Sequence, residues 1–104
     1  MELSDYQLVF PEAPFQHPYN PVGKMWYDLP QNYSFIGTPE FRDRSDLSTS
    51  RQLLTEFIQM QAELAGIPLA RTILGGFSQG GAMTLDVGTQ LPLAGLMVLS
   101  GYLH

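Results

Sequence analysis

The sequence lacks cysteine, has few cations and contains no long apolar run. Its 104 residues include no Cys, which excludes disulfide bonds, thiolate metal ligands and a cysteine nucleophile, and which suits a reducing compartment. Five Lys and Arg stand against ten Asp and Glu, giving a formal charge of −5. Five scattered cations cannot form the basic patch that nucleic acid requires, so no nucleic-acid partner is expected.

Segments that would direct the chain to a membrane are also missing from the sequence. The longest apolar run, Leu91 to Leu99, is interrupted by Pro92 and Gly95 and falls short of the roughly 18 residues of a membrane span. The first residues, Met1 to Asp5, are acidic and polar, whereas a signal peptide begins basic and then becomes apolar. The sequence therefore predicts one small soluble domain without a membrane span, located in the cytoplasm.

The first part of the chain predicts one strand and then a long irregular segment. Tyr6 to Phe10 has strand composition and ends at Pro11, which cannot donate to a strand ladder. From Pro11 to about Asp46 the apolar periodicity is lost, while prolines and aromatic side chains are frequent. That aromatic content argues against simple disorder.

Helical periodicity then begins. The residues on one stripe and those beside it are all apolar: Leu47, Leu54, Ile58 and Ala65, flanked by Leu53, Phe57, Met60 and Leu64. Asp46 or Ser48 is the predicted N-cap of this helix. Gly66 is its predicted end, and Pro68 prevents continuation.

The second half of the chain alternates strand and helix patterns. Arg71 to Leu74 is predicted as a short buried strand, Gln79 to Thr89 as a helix, and Leu93 to Ser100 as a strand that is apolar on both faces. A strand of that kind lies in a sheet that helices cover on both sides. The order of elements predicts an α/β fold with a mostly parallel sheet and flanking helices.

The most informative motif is the Gly-Gly-Phe-Ser-Gln-Gly-Gly run at 75–81. It contains Gly-x-Ser-x-Gly as Gly76, Ser78 and Gly80, between a strand pattern and a helix pattern, which is typical of a nucleophile elbow. Such a turn gives Ser78 a positive φ and requires both glycines, because chain segments approach closely there. It also directs the Gln79 N–H from a helix N-terminus towards an oxyanion. The alternative is a glycine-rich turn with an ordinary serine.

Four blocks of the sequence resemble one family, the phospholipase/carboxylesterase family of small serine esterases, which includes the acyl-protein thioesterases. The blocks follow one another in the same order as in that family: Phe10–Pro14, Met25–Asp28, Gly75–Met83 and Leu93–Leu103. The resemblance extends over nearly the whole chain and implies an α/β-hydrolase fold. It is specific for the family and poorly specific for the substrate.

The resemblance also implies roles for individual residues. Ser78 corresponds to the acylated nucleophile, and the Gln79 backbone N–H to one oxyanion donor. Trp26 and Tyr27 fall in a loop that lies beside the acyl pocket in relatives, although a small aromatic cluster capping the sheet edge explains Trp26 equally well. The implied substrate is a small-molecule ester or thioester, and no cofactor is implied.

Other parts of the family pattern have no counterpart in these residues. Relatives carry a His-Gly loop upstream that supplies a second oxyanion N–H, and further strands downstream that deliver the catalytic acid and base. We therefore expect residues 1–104 to be a partial α/β-hydrolase domain, without the upstream oxyanion-loop strands and the downstream Asp and His, and inactive on its own.

The residues that could complete a catalytic triad internally are expected not to do so. Asp86 lies eight residues along the helix from Ser78, about 12 Å of rise, and is predicted to be a solvated helix residue. His104 is predicted to be a frayed terminal residue, and His17 a surface residue of the proline-rich loop. No pair of His or carboxylate residues has metal-ligand spacing, so no metal site is expected.

Two interpretations remain open. In the first, the chain is the central piece of a serine esterase; in the second, it is a non-catalytic remnant or binding module that keeps the turn as architecture. In either case we expect unpaired strand edges. The strand at Tyr6–Phe10 would lie apart from the sheet or pair with Thr72–Leu74, and the exposed edges would favour self-association and marginal stability.

Overall fold

The computed structural model describes residues 6–28 and 39–104. Its elements lie in the order β1 (Phe15–Gln16), β2 (Lys24–Met25), α1 (Pro39–Arg42), α2 (Ser45–Ala65), a 3₁₀ turn (Leu69–Arg71), β3 (Ile73–Phe77), α3 (Gln79–Gly88) and β4 (Gly95–Leu99). The short strands β1 and β2 form an antiparallel pair. The described residues contain no helix with the length and apolar character needed to cross a bilayer.

A parallel pair of strands carries the candidate site. β3 and β4 pair in register from Ile73 opposite Gly95 to Phe77 opposite Leu99, and α3 is the crossover between them. The helix prediction for this crossover and the parallel pairing are confirmed. Strand β3 begins two residues later than predicted and continues to Phe77, directly before Ser78.

The long helix α2 is confirmed, with a correction at its start. It ends at Gly66, whose φ of 68° lies in the left-handed region that only glycine adopts without strain. Its N-cap is Arg44, not Asp46 or Ser48. Asp46 lies instead in the first helical turn, where a carboxylate is stabilised by the helix dipole, and its Oδ2 accepts hydrogen bonds from Arg44 and from the Asp28 N–H.

The hydrophobic core lies between α2, α3 and the loop before α1. Its buried members are Tyr27, Phe41, Leu47, Leu54, Ile58, Met83 and Val87. Three residues of the predicted stripe, Leu47, Leu54 and Ile58, are thus confirmed as buried. Ala65 is exposed near the helix end, as are Leu53, Met60 and Leu64 on the flank, so the buried stripe is narrower than predicted.

The predicted strand at Tyr6–Phe10 is not formed. These residues belong to no strand and are exposed, with Phe10 exposed by 86%. Of the two outcomes considered for this segment, separation from the sheet is therefore observed rather than pairing with Thr72–Leu74. An alternating apolar sequence becomes a strand only where a neighbouring edge offers backbone partners.

The two strands β3 and β4 are covered on one face only by the described elements. The prediction that Leu93–Ser100 is buried on both faces, in a sheet that helices cover on both sides, is wrong for the residues that the structure describes. Ile73 and Phe77 on β3, and Met97 and Leu99 on β4, are exposed, with Phe77 at 70% and Met97 at 61%. Because side chains alternate along a strand, α3 packs against one set and these four project from the other face.

Candidate active site

Ser78 lies alone in the turn between the last residue of β3 and the first of α3. Its φ of 55° and ψ of −116° fall in a region that L-residues rarely adopt, as predicted. Two backbone bonds fix the turn: the Ser78 N–H donates to the Leu99 carbonyl at 2.8 Å, and the Ser78 carbonyl accepts from Ala82 at 3.0 Å. The serine is therefore held in a strained conformation at the carboxyl end of the sheet, with its side chain exposed.

The glycines around Ser78 differ in what they do. A Cβ on Gly76 would lie 2.2 Å from the Gly80 carbonyl oxygen, so the predicted close approach is confirmed there. A Cβ on Gly80 would meet nothing within 4 Å, so the matching prediction for Gly80 is wrong. The tight positions are Gly81 and Gly101 instead. A Cβ on Gly81 would lie 3.0 Å from the Cα of Gly101.

The sequence interpretation missed Gly81 and Gly101 because their contact joins distant parts of the chain. Gly81 lies in the first turn of α3, and Gly101 follows β4. In the contact with Gly76, Gly80 contributes only its backbone carbonyl, so the turn requires glycine at Gly76 and not at Gly80. The repeated glycine at 81 was the available signal.

Gln79 opens α3 and has two separate functions in the turn. The first N–H groups of a helix have no intrahelical acceptor, and they lie at the N-terminus, which is the positive end of the helix dipole. The Gln79 N–H is in that position, next to Ser78. The side chain turns to the Trp26–Tyr27 loop, where Oε1 accepts from the Trp26 N–H at 2.7 Å and Nε2 donates to the Tyr27 carbonyl at 3.0 Å.

Trp26 and Tyr27 occupy different surroundings. Tyr27 is completely buried and packs edge-on against Phe41 and His104, with ring centroids 5.4 and 5.1 Å apart. Tyr27 therefore belongs to a buried aromatic cluster. Trp26 is half-buried and lines an open groove of about 420 Å³ between α2 and the segment that contains Pro11 and Pro14. Ser78 does not line this groove.

Asp86 is the centre of a polar network, which corrects the prediction of a solvated residue. Its side chain is only 10% exposed. Arg51 of α2 binds both carboxylate oxygens, at 2.7 Å through Nε and 3.0 Å through Nη2. The ring of His104 binds Asp86 Oδ2 through Nδ1 at 2.6 Å and the Tyr27 hydroxyl through Nε2 at 2.8 Å.

His104 is therefore not a frayed terminal residue. Its side chain is 3% exposed and packs between the rings of Tyr27, Phe41 and Tyr102. Asp86 lies two turns of α3 beyond Ser78, and the chain after β4 returns to that part of the helix. A histidine at that point can meet a carboxylate two turns into the helix.

The network shifts the pKa values of its members. Burial alone would raise the pKa of Asp86, but the hydrogen bonds from His104 and Arg51 outweigh it and lower the pKa to about 2. Burial, together with the hydrogen bond to Tyr102, raises the pKa of the Tyr27 phenol, so this residue stays protonated. Asp86 is thus a stable anion that accepts hydrogen bonds from both Arg51 and His104.

The two histidines of the chain are both engaged away from Ser78. Both ring nitrogens of His104 are used by Asp86 and Tyr27, and His17 is half-buried in its loop with Nδ1 accepting from the Tyr19 N–H at 3.1 Å. Within residues 6–28 and 39–104, no hydrogen bond reaches the Ser78 hydroxyl from a histidine. In the same ranges, no group of three or more His, Asp or Glu residues is arranged to hold a metal ion.

A strand, a serine with a positive φ and a helix follow one another in this chain, which is the arrangement typical of a nucleophile elbow in α/β-hydrolases. Comparison with known families agrees with that class. The model of the phospholipase/carboxylesterase family matches residues 1–104, and the chain belongs to that family. The resemblance inferred from the four sequence blocks is thereby confirmed. No solved structure matches the chain.

Named relatives are similar along most of this chain. Acyl-protein thioesterase 1 of Yarrowia lipolytica is 34% identical over 105 residues, which are 96% of this chain and 44% of that protein. Acyl-protein thioesterase 1 of Schizosaccharomyces pombe is 42% identical over 101 residues, 91% of this chain and 42% of that protein. Lysophospholipase-like protein 1 of Mus musculus is 30% identical over 104 residues, 94% of this chain and 41% of that protein. The chain thus spans less than half the length of these relatives.

Proposed function

We propose that Ser78 is the nucleophile of a serine carboxylesterase or thioesterase that acts through an acyl-serine intermediate. The observation that carries this proposal is the backbone of Ser78, held at a φ of 55° directly before a helix N-terminus, in a chain that belongs to the phospholipase/carboxylesterase family. A strained turn of this kind presents a serine hydroxyl above the strand ends. The relatives named acyl-protein thioesterase support a thioester among the substrates.

The proposed reaction has two stages, acylation of Ser78 and hydrolysis of the acyl-serine. The Ser78 hydroxyl oxygen attacks the acyl carbonyl while a base accepts its proton, and the carbonyl oxygen becomes an oxyanion. The Gln79 N–H at the start of α3 is our candidate donor to that oxyanion. The tetrahedral intermediate then expels the alcohol or thiol, which takes up the proton. Water cleaves the acyl-serine, releases the carboxylic acid and restores Ser78.

We further propose that the 104 residues alone turn over little or no ester. Both ring nitrogens of His104 are bound elsewhere, and His17 bonds within its own loop. Without a base beside it, the hydroxyl stays protonated near neutral pH. Loss of one triad member lowers the rate of serine hydrolases by several orders of magnitude.

The second candidate function is a non-catalytic binding module. The observation that favours it is the steric one: Gly76 and Gly81 are required by close backbone contacts alone, whatever Ser78 does. The strained turn could thus persist as architecture.

A chimera separates the two functions. The residues of this chain replace the matching 42% of the Schizosaccharomyces pombe thioesterase, and hydrolysis of a short acyl thioester is measured. We expect turnover that disappears in Ser78→Ala and persists in Ser100→Ala, a matched control because Ser100 also follows a parallel strand at a positive φ of 54°. A folded chimera without turnover would overturn the esterase proposal in favour of the binding module.

A further inference from the structure

The loop at Trp26–Asp28 has no strand partner, yet side chains satisfy its backbone. The Trp26 carbonyl accepts from the Ser50 hydroxyl, and the Asp28 N–H donates to Asp46 Oδ2 at 2.8 Å, so α2 holds one side of the loop. Gln79 holds the other side, through the Trp26 N–H and the Tyr27 carbonyl. These contacts span 18 to 53 residues of sequence.

The two bonds of Gln79 use both the acceptor and a donor of its side-chain amide. Oε1 is the acceptor for one peptide and Nε2 the donor for the next, at 2.7 and 3.0 Å. The chain bends at Trp26 and Tyr27, which turns both backbone groups towards the same amide. A carboxylate or an apolar side chain of equal length could not make both bonds, because the first lacks the donor and the second lacks both groups.

We propose that the Gln79 side chain is a positioning residue of the Ser78 site. It ties the Trp26 loop to the first turn of α3, so that this loop and the Gln79 N–H, which follows Ser78 directly, are held in one fixed arrangement. The inference that this arrangement serves catalysis rests on the function proposed above. The two hydrogen bonds between Gln79 and the loop do not depend on that function.

The arrangement matters because an oxyanion donor acts only if it needs no reorganisation when charge develops. The two bonds of the Gln79 side-chain amide anchor the first turn of α3 to the loop, which limits movement of the turn that carries the Gln79 N–H. Its bonds also link the loop to the turn across 52 and 53 residues. One side chain thereby holds the Trp26 loop against the turn that carries the candidate donor.

The first test measures the tie without any turnover. Trp26 is the single tryptophan of the chain, so its emission and its amide exchange report the loop directly. In Gln79→Met we expect the Trp26 amide to exchange about tenfold faster or more. We also expect red-shifted emission and stronger quenching by acrylamide. Gln59→Met, on the exposed side of α2, is the matched control and should leave all three as in the wild type.

A second variant keeps the test decisive if Gln79→Met fails to fold. Gln79→Glu keeps the acceptor for the Trp26 N–H and loses the donor to the Tyr27 carbonyl. We expect Trp26 amide exchange close to that of the wild type but increased indole quenching, because one anchor remains. Wild-type exchange, emission and quenching in a folded Gln79→Met, or wild-type quenching in Gln79→Glu if Gln79→Met does not fold, would overturn the proposal.

The catalytic consequence is tested in the thioesterase chimera. Gln79→Met should lower kcat by about tenfold or more while KM changes less, because a misdirected donor is lost only in the transition state. An unchanged kcat would overturn the positioning role. If the wild-type chimera shows no turnover, the proposed function fails instead, and the Trp26 measurements still decide whether Gln79 holds the loop.

Discussion

Arg51 and Asp86 form a two-pronged ion pair that joins the two main helices. Nε and Nη2 of the guanidinium each bind one carboxylate oxygen, and the hydrogen bond with Asp86 raises the pKa of Arg51. His104 adds a third bond to the same carboxylate. A single anion of α3 therefore fixes α2 on one side and the segment after β4 on the other.

Replacing this anion should destabilise the fold. In Asp86→Asn we expect the free energy of unfolding to fall by about 1–3 kcal/mol, because Arg51 and His104 lose a charged acceptor whose side chain is only 10% exposed. Urea denaturation measures the loss. Glu63→Gln, an equal charge change at an exposed position of α2, is the control and should stay within about 0.5 kcal/mol of the wild type. Equal effects of both changes would contradict the structural role of Asp86.

The Asp86 carboxylate should make the stability of the fold depend on pH in the acidic range. Its pKa is about 2 in the folded chain against an ordinary value of 3.8, so ionised Asp86 favours the folded state above pH 3.8. That contribution is lost as the pH falls through about 2. We expect wild-type stability to decline more steeply than that of Asp86→Asn between pH 4 and pH 2. Parallel curves in denaturation at stepped pH would argue against the shift.

Two neighbouring glycines should respond oppositely to alanine. Gly76→Ala places a methyl 2.2 Å from the Gly80 carbonyl oxygen, and the strand or the helix must move, so we expect a loss of several kcal/mol or failure to fold. Gly80→Ala meets open space within α3, where alanine is the better helix former by up to about 1 kcal/mol. Thermal unfolding of both variants checks the contrast. A tolerated Gly76→Ala would mean that the corner is looser than the structure shows.

The uncovered face of β3 and β4 should cause self-association. Met97 lies on that face with 61% of its surface exposed, among Ile73, Phe77 and Leu99. Met97→Lys should shift sedimentation towards the monomer without a large loss of stability. Leu64→Lys, at an exposed apolar residue near the end of α2, serves as the control and should leave the sedimentation unchanged. A wild-type chain that is monomeric at high concentration would refute the prediction.

Elements set by local pattern could be predicted from the sequence, and elements set by distant contacts could not. The end of α2 follows from Gly66, and the strained Ser78 follows from a strand, a glycine-flanked serine and a helix. The pairing of Gly81 with Gly101 depends on where the chain returns after β4. The same return brings His104 to Asp86, which a helix-spacing argument cannot foresee.

The strand prediction for Tyr6–Phe10 failed for a related reason. Composition identifies residues that suit a sheet, but a ladder partner decides whether they join one. Tyr6–Phe10 has the composition and no partner among the described elements, whereas Ile73–Phe77 has β4. The side-chain anchors of Trp26–Asp28 likewise leave no local trace, since Gln79 and Ser50 are distant in sequence.

The close backbone contacts around Ser78 affect how the Gly-x-Ser-x-Gly motif is interpreted in other sequences. Gly76 and Gly81 are demanded by backbone contacts that exist before any substrate arrives. Selection for folding alone would therefore retain these glycines in a copy that had lost its chemistry. Ser78 is different, because its strained φ of 55° favours replacement by glycine once the hydroxyl is no longer used. A serine that persists there is the better mark of a working enzyme.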